Sequence, residues 1–401
     1  MQYGIASFLA LVAPVLAQED VSLTDSLLSK LAEREDATLF STVLIQFPTL
    51  IHQIIDEAKG HSDEFLADGV TVLVPNDMAV AAYLADQGVE LNSLEESVVK
   101  STLSYHIMVK PMKGEELVEP RGLTIPTLLD GEDELGISFN LRAPAPQIQA
   151  DYGTQATGQV LFTKPDEIDG EVHVRILTKR QDSGETTQQL SLRGGEAQTA
   201  QMSLVDGEWE GGLYQIVDQV LAPPVPCSNT IRGLADNLES LDVALNRTDL
   251  WPALNNHPNV SCLAPSDQAF SDAGNPEENL DEEDLRQALL DHTLEGPAYS
   301  NYLEDGMVMQ TLSNKTVTVS VNDTGVFFND ARVVQSNVLT NNGLVHVLDK
   351  VMVVSNDATK DSEDDEKVEP AITDGDSAAE SLRRDGLFIS FAVVGAAFLL
   401  V

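Results

Sequence analysis

The sequence predicts two tandem domains, each mixing helices with a strand-built core, and three observations lead there. A proline-rich break, Ala222-Pro223-Pro224-Val225-Pro226, interrupts the chain in a way that suits neither helix interior nor central strand. On both sides of it the same order recurs: buried strand, turn, helix ending in His, closing strand. The length of 401 residues favours two or three domains over one.

The elements follow in order. Residues 1–17 are apolar, and Val15 and Ala17 suit a signal-peptidase cut before Gln18, so they read as a signal peptide. The first domain is expected over 18–225. Its strand Val70-Thr71-Val72-Leu73-Val74-Pro75 is a β-branched run, and Asn76 is placed to cap a short helix. A helix with an acidic first turn then runs from Leu94 to Tyr105-His106. The closing strand is Gly212–Leu221, preceded by about 55 residues without counterpart in the second half, expected as a strand-rich insert at about 130–210. The second domain is expected over 226–355. Its strand ends in Ala264-Pro265-Ser266-Asp267, its helix runs from Leu280 to Asp291-His292, and Gly343–Met352 closes it. From strand Pro to helix His is 31 residues in the first half and 27 in the second. Residues 356–376 hold nine acidic and two basic side chains and read as an extended, self-repelling stalk. Residues 377–401 combine small residues, a polar spacer and an apolar tail, the three parts of a GPI-attachment signal, with Ser377, Asp376 and Gly375 as candidate attachment residues.

This pattern resembles the fasciclin (FAS1) family, in particular GPI-anchored fungal fasciclin-like proteins. The resemblance rests on Pro75 and Asp77, Tyr105-His106 and Asp218 in the first half. In the second it rests on Pro265 and Asp267, His292, Asn342-Gly343, His346 and Asp349. The first half departs at Gln215, where the family has His, and at Val80, where it has Phe; the second has Asp291 in place of Tyr. The resemblance implies an α+β fold, each domain a wedge of β-strands packed with a helical layer. It also implies adhesion or association with matrix or wall rather than catalysis. Integrin engagement through an Asp-Ile pair does not carry over, because Asn337-Val338 stands at that place. His106 and His292 read best as partners for buried polar groups.

Composition narrows the chemistry. The formal charge is −42, from 65 acidic and 23 basic residues, which excludes nucleic acid as a partner and leaves anionic membranes to a covalent lipid anchor. Gly60-His61-Ser62-Asp63-Glu64 is no nucleophile elbow, since the strand follows the Ser and the second Gly is missing. The seven histidines show no metal-binding spacing, and Asp130-Gly131-Glu132-Asp133-Glu134 lacks the pattern of a calcium loop. No catalytic residue, metal or cofactor is therefore expected. Cys227 and Cys262 are expected to form a disulfide in an oxidising compartment. Asn246, Asn259, Asn314 and Asn322 each open an N-glycosylation sequon, all in the second half, while Lys179-Arg180 reads either as a dibasic processing site or, more commonly for such a pair, as exposed charge on a hairpin.

The expected function is a non-enzymatic adhesion or wall-associated glycoprotein at the outer face of the plasma membrane or in the wall. Its expected partners are surface or wall glycans or proteins, other copies of itself included. The alternative is an extracellular module that binds a small lipid or glycan. Contacts between copies should strengthen as pH falls toward 4 and carboxylates neutralise.

Overall fold

The computed structural model describes residues 16–354, apart from 61–63, 133–137, 140–144, 165, 169–170, 174 and 179–185. The expected cleavage site, stalk, GPI residues 375–377 and Lys179-Arg180 lie outside these residues, or, at the cleavage site, among those whose side chains are not described.

Each half is a curled sheet beside a layer of helices. In the first, helices α1 (Leu16–Leu31), α2 (Thr38–Gln46) and α3 (Leu50–Lys59) precede strand β1 (Val70–Pro75). Next come α4 (Asp77–Gln87), α5 (Glu96–Tyr105), β2 (Ile107–Met108), α6 (Gly114–Leu117), β3 (Leu123–Pro126), α7 (Pro146–Tyr152) and β4 (Val160–Lys164). Short strands β5 (Asp166–Ile168), β6 (Glu171–His173) and β7 (Arg175–Thr178) lead to β8 (Thr186–Arg193), β9 (Thr199–Trp209) and β10 (Gly212–Val217). The sheet order is β2-β1-β10-β9-β8-β4-β3, and a bridge between Met108 and Thr127 brings its two ends together.

The second half repeats this plan with shorter connections. Helices α8 (Cys227–Gly233), α9 (Ala235–Arg247) and α10 (Trp251–Asn256) lead into β11 (Val260–Pro265). Then follow α11 (Asp267–Asp272), α12 (Pro276–Asn279), α13 (Glu282–Asp291), β12 (Thr293–Glu295) and β13 (Val308–Gln310). Strands β14 (Thr316–Asn322), β15 (Gly325–Phe328), β16 (Ala331–Thr340) and β17 (Gly343–Leu348) complete the order β12-β11-β17-β16-β15-β14-β13. Leu294 and Thr311 close the curl as Met108 and Thr127 do in the first half. The two halves are thus α+β units of one topology.

Strand alternation explains why β1 and β11 are buried on both faces. Val70, Val72 and Val74 pack with Leu27, Ile51 and Leu103 on the helical side. Leu73, between them in sequence, faces the curl with Ile125, Leu161, Leu192 and Met202. Cys262 and Ala264 likewise meet helical residues, while Leu263 joins Val317, Val319 and Phe328 inside the curl. A strand with two buried faces reads as a continuous apolar run, and this is the signal visible in the sequence.

The expected insert at about 130–210 is corrected in composition. Extra chain enters at two places: 127–159 between β3 and β4, which carries α7, and 165–185 between β4 and β8, which carries the β5–β6 hairpin and β7. The alternating stretch at 172–177 is divided between β6 and β7. β8 and β9 are no insert; they correspond to β15 and β16 in the common sheet.

The proline-rich segment is packed rather than free. Gly195 N–H donates to Ala222 O and Asn341 N–H to Val225 O, and Pro224 is buried. Across the halves Thr124 Oγ1 donates to Asn301 (2.7 Å), Gln159 to Asn341 O (2.8 Å) and Tyr302 to Asp151 (2.9 Å). Arg193 lies over the Phe162 ring and donates to Ser336 O. Tyr299, Leu339 and Leu344 of the second half belong to the same apolar cluster as the helical core of the first. Residues 16–354 therefore fall within one compact unit.

Two glycines make the parallel strand pairing possible. Val70 faces Gly212 and Val260 faces Gly343 in register. A Cβ on Gly343 (φ +156°) would lie 1.9 Å from Val260 O, and one on Gly212 (φ +131°) 2.1 Å from Val70 O. Neither carbonyl can yield without breaking the ladder. Gly343→Ala should therefore cost roughly 3 kcal/mol, as overpacking against backbone does. Urea unfolding checks this, and an unshifted midpoint would refute the close-approach account.

Candidate functional site

The motif residues are spent on the fold itself. Asn76 and Ser266 cap α4 and α11 by accepting from Ala79 N–H and Ala269 N–H, as the turn sequence predicts. Pro75 and Pro265 end the strands before these caps. Asp77 Oδ1 reaches across to accept from Leu39 N–H (2.7 Å), and Asp267 Oδ1 does so from Ser240 N–H (2.8 Å). At the same end of the sheet, just past the parallel neighbour strands, Asp218 accepts from Gln201 N–H (2.7 Å) and Asp349 from Arg332 N–H (2.8 Å). Asn342 donates to Leu254 O and His257 O, both at 2.7 Å, tying the last turn of α10 to the closing strand.

The two helix-end histidines do one job twice. His106 Nδ1 donates to Thr102 O (2.7 Å), so Nε2 is free to accept from Leu221 N–H (3.0 Å). His292 repeats this with Ala288 O (2.8 Å) and Met352 N–H (2.9 Å). Both rings are buried, and burial lowers their pKa, to about 4 for His106, so the neutral tautomer holds each helix end to the segment after the closing strand. Tyr105 donates to Val160 O at the start of β4 (2.8 Å). Asp291, the residue at its place in the second half, instead takes Lys315 Nζ (2.7 Å), one residue before β14. Different chemistry ties the same two elements.

Gln215 and His346 also correspond, since Leu73 faces Gln215 and Leu263 faces His346 in the parallel pairs. Gln215 accepts from Val205 N–H and Asp206 N–H and donates to Asp206 (2.7 Å). His346 Nε2 donates to Ala298 O (2.7 Å), and its pKa falls to about 4 through burial. Its Nδ1 has no partner among the described residues. Asp206 (φ +47°) and Asn337 (φ +54°) each sit in a bulge of the neighbouring strand. Asn337 is fully buried, bonded to Ser300 through N–H and hydroxyl, so it presents nothing to solvent.

The cysteines lie side by side with sulfurs 3.6 Å apart, as buried thiols. The hydrogen bond to Cys262, then burial, holds the Cys227 thiol well above its usual pKa, which makes it a poor nucleophile. Asn246, Asn314 and Asn322 are exposed. Asn259 is half-buried, and its sequon hydroxyl, Ser261, is fully buried and bonded to Gly296 O. Among the described residues no group of three or more His, Cys, Asp or Glu side chains is placed to hold a metal.

A cleft of about 510 Å³ in the first half is the candidate site, bounded by α3, α5 and the 127–132 and 155–158 segments. Ile54 and Glu57 line it from α3, and Ser97, Lys100, Ser101 and Ser104 from α5. The serines fall at i, i+4 and i+7, hence on one helix face. Lys100 Nζ bridges to Glu57 at 2.7 Å. The opposite wall is pinned by Thr157, which donates to Asp130, and by Gln159, which donates to Phe139 O (2.8 Å). Gly158 is required there, because a Cβ would sit 2.0 Å from Thr127 O. Neither a motif nor a composition shift marks this cleft in the sequence; the serine spacing is its one trace.

Comparison with known proteins is informative for the second half. Residues 236–354 match the fasciclin domain model. A fasciclin-like arabinogalactan protein of Arthroderma benhamiae is 30% identical over 179 residues, 44% of this chain and 42% of that protein. Human periostin is 26% identical over 194 residues, 47% of this chain and 23% of periostin. The chain thus spans less than half the length of either relative. A FAS1 domain pair from the insect cell adhesion molecule Fasciclin I aligns over 78% of this chain and 97% of its own, at 13% identity and a TM-score of 0.32.

Proposed function

We propose, from the match of residues 236–354 to the fasciclin domain model, that the chain is a non-enzymatic adhesion or wall-associated glycoprotein, tethered to the outer plasma membrane by a GPI anchor. The observation that carries this reading is how the motif residues are used. The two Asp pairs, the helix-end histidines and Asn342 are bonded within the fold, which leaves no nucleophile and base assembled from them. What faces outward is acidic surface and three exposed sequon asparagines, which suits contact rather than turnover. The terminal segments supply the export and anchoring signals.

Phosphatidylinositol-specific phospholipase C should release the protein from intact cells; retention with the membrane would overturn the anchor. Beads coated with the mature chain should adhere to wall glycans, to cells or to one another. Bead-to-bead aggregation should grow as pH falls from 7 to 5 and exposed carboxylates begin to neutralise. Aggregation that is flat over this range would remove charge as the control on self-contact.

A further inference from the structure

The cleft between α3 and α5 has walls that select among ligand classes. We propose that it is a subsite for a neutral, hydroxyl-rich ligand, one or two sugar residues of a surface or wall glycan. The proposal rests on the reading of the chain as an extracellular contact protein for the source of the ligand, and on the cleft alone for its chemistry.

The first observation is a row of hydroxyls along one wall. Ser104 is 6% exposed and lines the cleft, and its oxygen is not sealed from solvent. Half-buried Ser97 and Ser101 extend the row along α5. Each hydroxyl can both donate and accept, as a sugar hydroxyl can. Three at helical spacing form a row that matches a polyol better than a single charge.

Charge decides against anions. Among the described lining residues, Glu57, Asp130 and Glu132 stand against Lys100 alone, and Lys100 is already held by Glu57. A phosphate or carboxylate would enter a net negative cleft, whereas sugar hydroxyls can donate to these carboxylates. A lipid tail fares no better, because it would bury the serine row and the carboxylates without partners. The apolar part of the lining, Phe65, Val109, Leu128 and Phe139, suits the C–H face of a pyranose ring. The volume falls within the range of small-ligand sites, about 300–1,000 Å³.

The test uses the mature full chain and isothermal calorimetry with laminaribiose, α-1,2-mannobiose, N,N′-diacetylchitobiose, glucuronic acid and spermidine as probes. At least one neutral disaccharide should bind. Ser104→Ala, which removes only a hydroxyl, should weaken that binding about tenfold. Ser101→Phe, which fills the cleft from a half-buried position, should abolish it, with the melting temperature of both variants unchanged. No disaccharide binding, disaccharide binding indifferent to both substitutions, or tighter binding of glucuronic acid or spermidine would each overturn the proposal. Bead adhesion by the Ser101→Phe chain separates the two readings: if cleft binding is absent while beads still adhere, the cleft assignment fails and the adhesive function stands.

Discussion

Acidification from pH 7 to 4 will lower the melting temperature of this protein, and the second half will contribute more of the loss than the first. Three fully or almost fully buried imidazoles set the effect: His106 in the first half, His292 and His346 in the second. An unfolded chain takes up a proton on each ring near pH 6.5. The folded chain resists until about 4 at His106 and His346, because burial penalises the imidazolium. The unfolded state therefore binds more protons inside this window, so stability is full above pH 6.5 and falls as pH drops toward 4. At full development each of these two rings is worth roughly 3 kcal/mol, a large share of ordinary domain stability. Relief of repulsion among the acidic residues works in the opposite direction, but exposed charges are screened by salt.

One substitution isolates the histidine contribution. Gln215 shows that glutamine fits the position His346 occupies, so His346→Gln should fold and should melt less steeply with falling pH than the parent. Thermal melts at pH 7, 6, 5 and 4 in constant salt measure both slopes. Equal slopes would exclude His346 as an acid-sensitive group, and a flat parent profile would exclude all three. The same titration bounds the expected gain in self-contact, which must appear before the fold loosens.

The second large effect concerns Cys227 and Cys262. Their sulfurs stand 3.6 Å apart, between the first residue of α8 and the central strand β11. Closing to a covalent bond of about 2.05 Å needs side-chain rotation rather than a new fold. Oxidised, the pair would lock the start of the second half to its sheet and remove about 4 kcal/mol of unfolded-chain freedom. Peptide mapping without reductant should recover the two peptides joined, and reductant should lower the urea midpoint. Two free thiols in protein from the culture medium or cell surface would defeat this expectation.

How far the sequence reveals the fold depends on whether a residue's role is local. Val70–Pro75 and Val260–Pro265 are visible because two buried faces demand an unbroken apolar run, and Asn76 and Ser266 because an N-cap bonds only three residues ahead. The helix-end histidines are visible as motif positions, yet their partners Leu221 and Met352 arrive only after the whole sheet has formed. Replacement of His by Gln at 215 looks like a lost feature in sequence, whereas the register shows a kept position with different bonds. A strand-rich insert at about 130–210 is all the sequence predicts there, because alternation does not distinguish β8 and β9, which are common sheet, from added chain. The cleft escapes the sequence for another reason: α3, α5 and the 127–132 segment are far apart in the chain, and three serines on a helix face look like ordinary polar surface.

The placement of β17 has a mechanical meaning. It runs parallel to β11 on one side and antiparallel to β16 on the other, and residues 351–354 follow it in the chain. Under the C-terminal anchor proposed above, a pull would reach the sheet through those residues, and the part of it along β17 would load both ladders. The ladder bonds on both flanks then resist together in shear instead of parting one by one as at a peeled edge. For a tethered protein, endurance under such a pull is governed by how slowly this strand slides out.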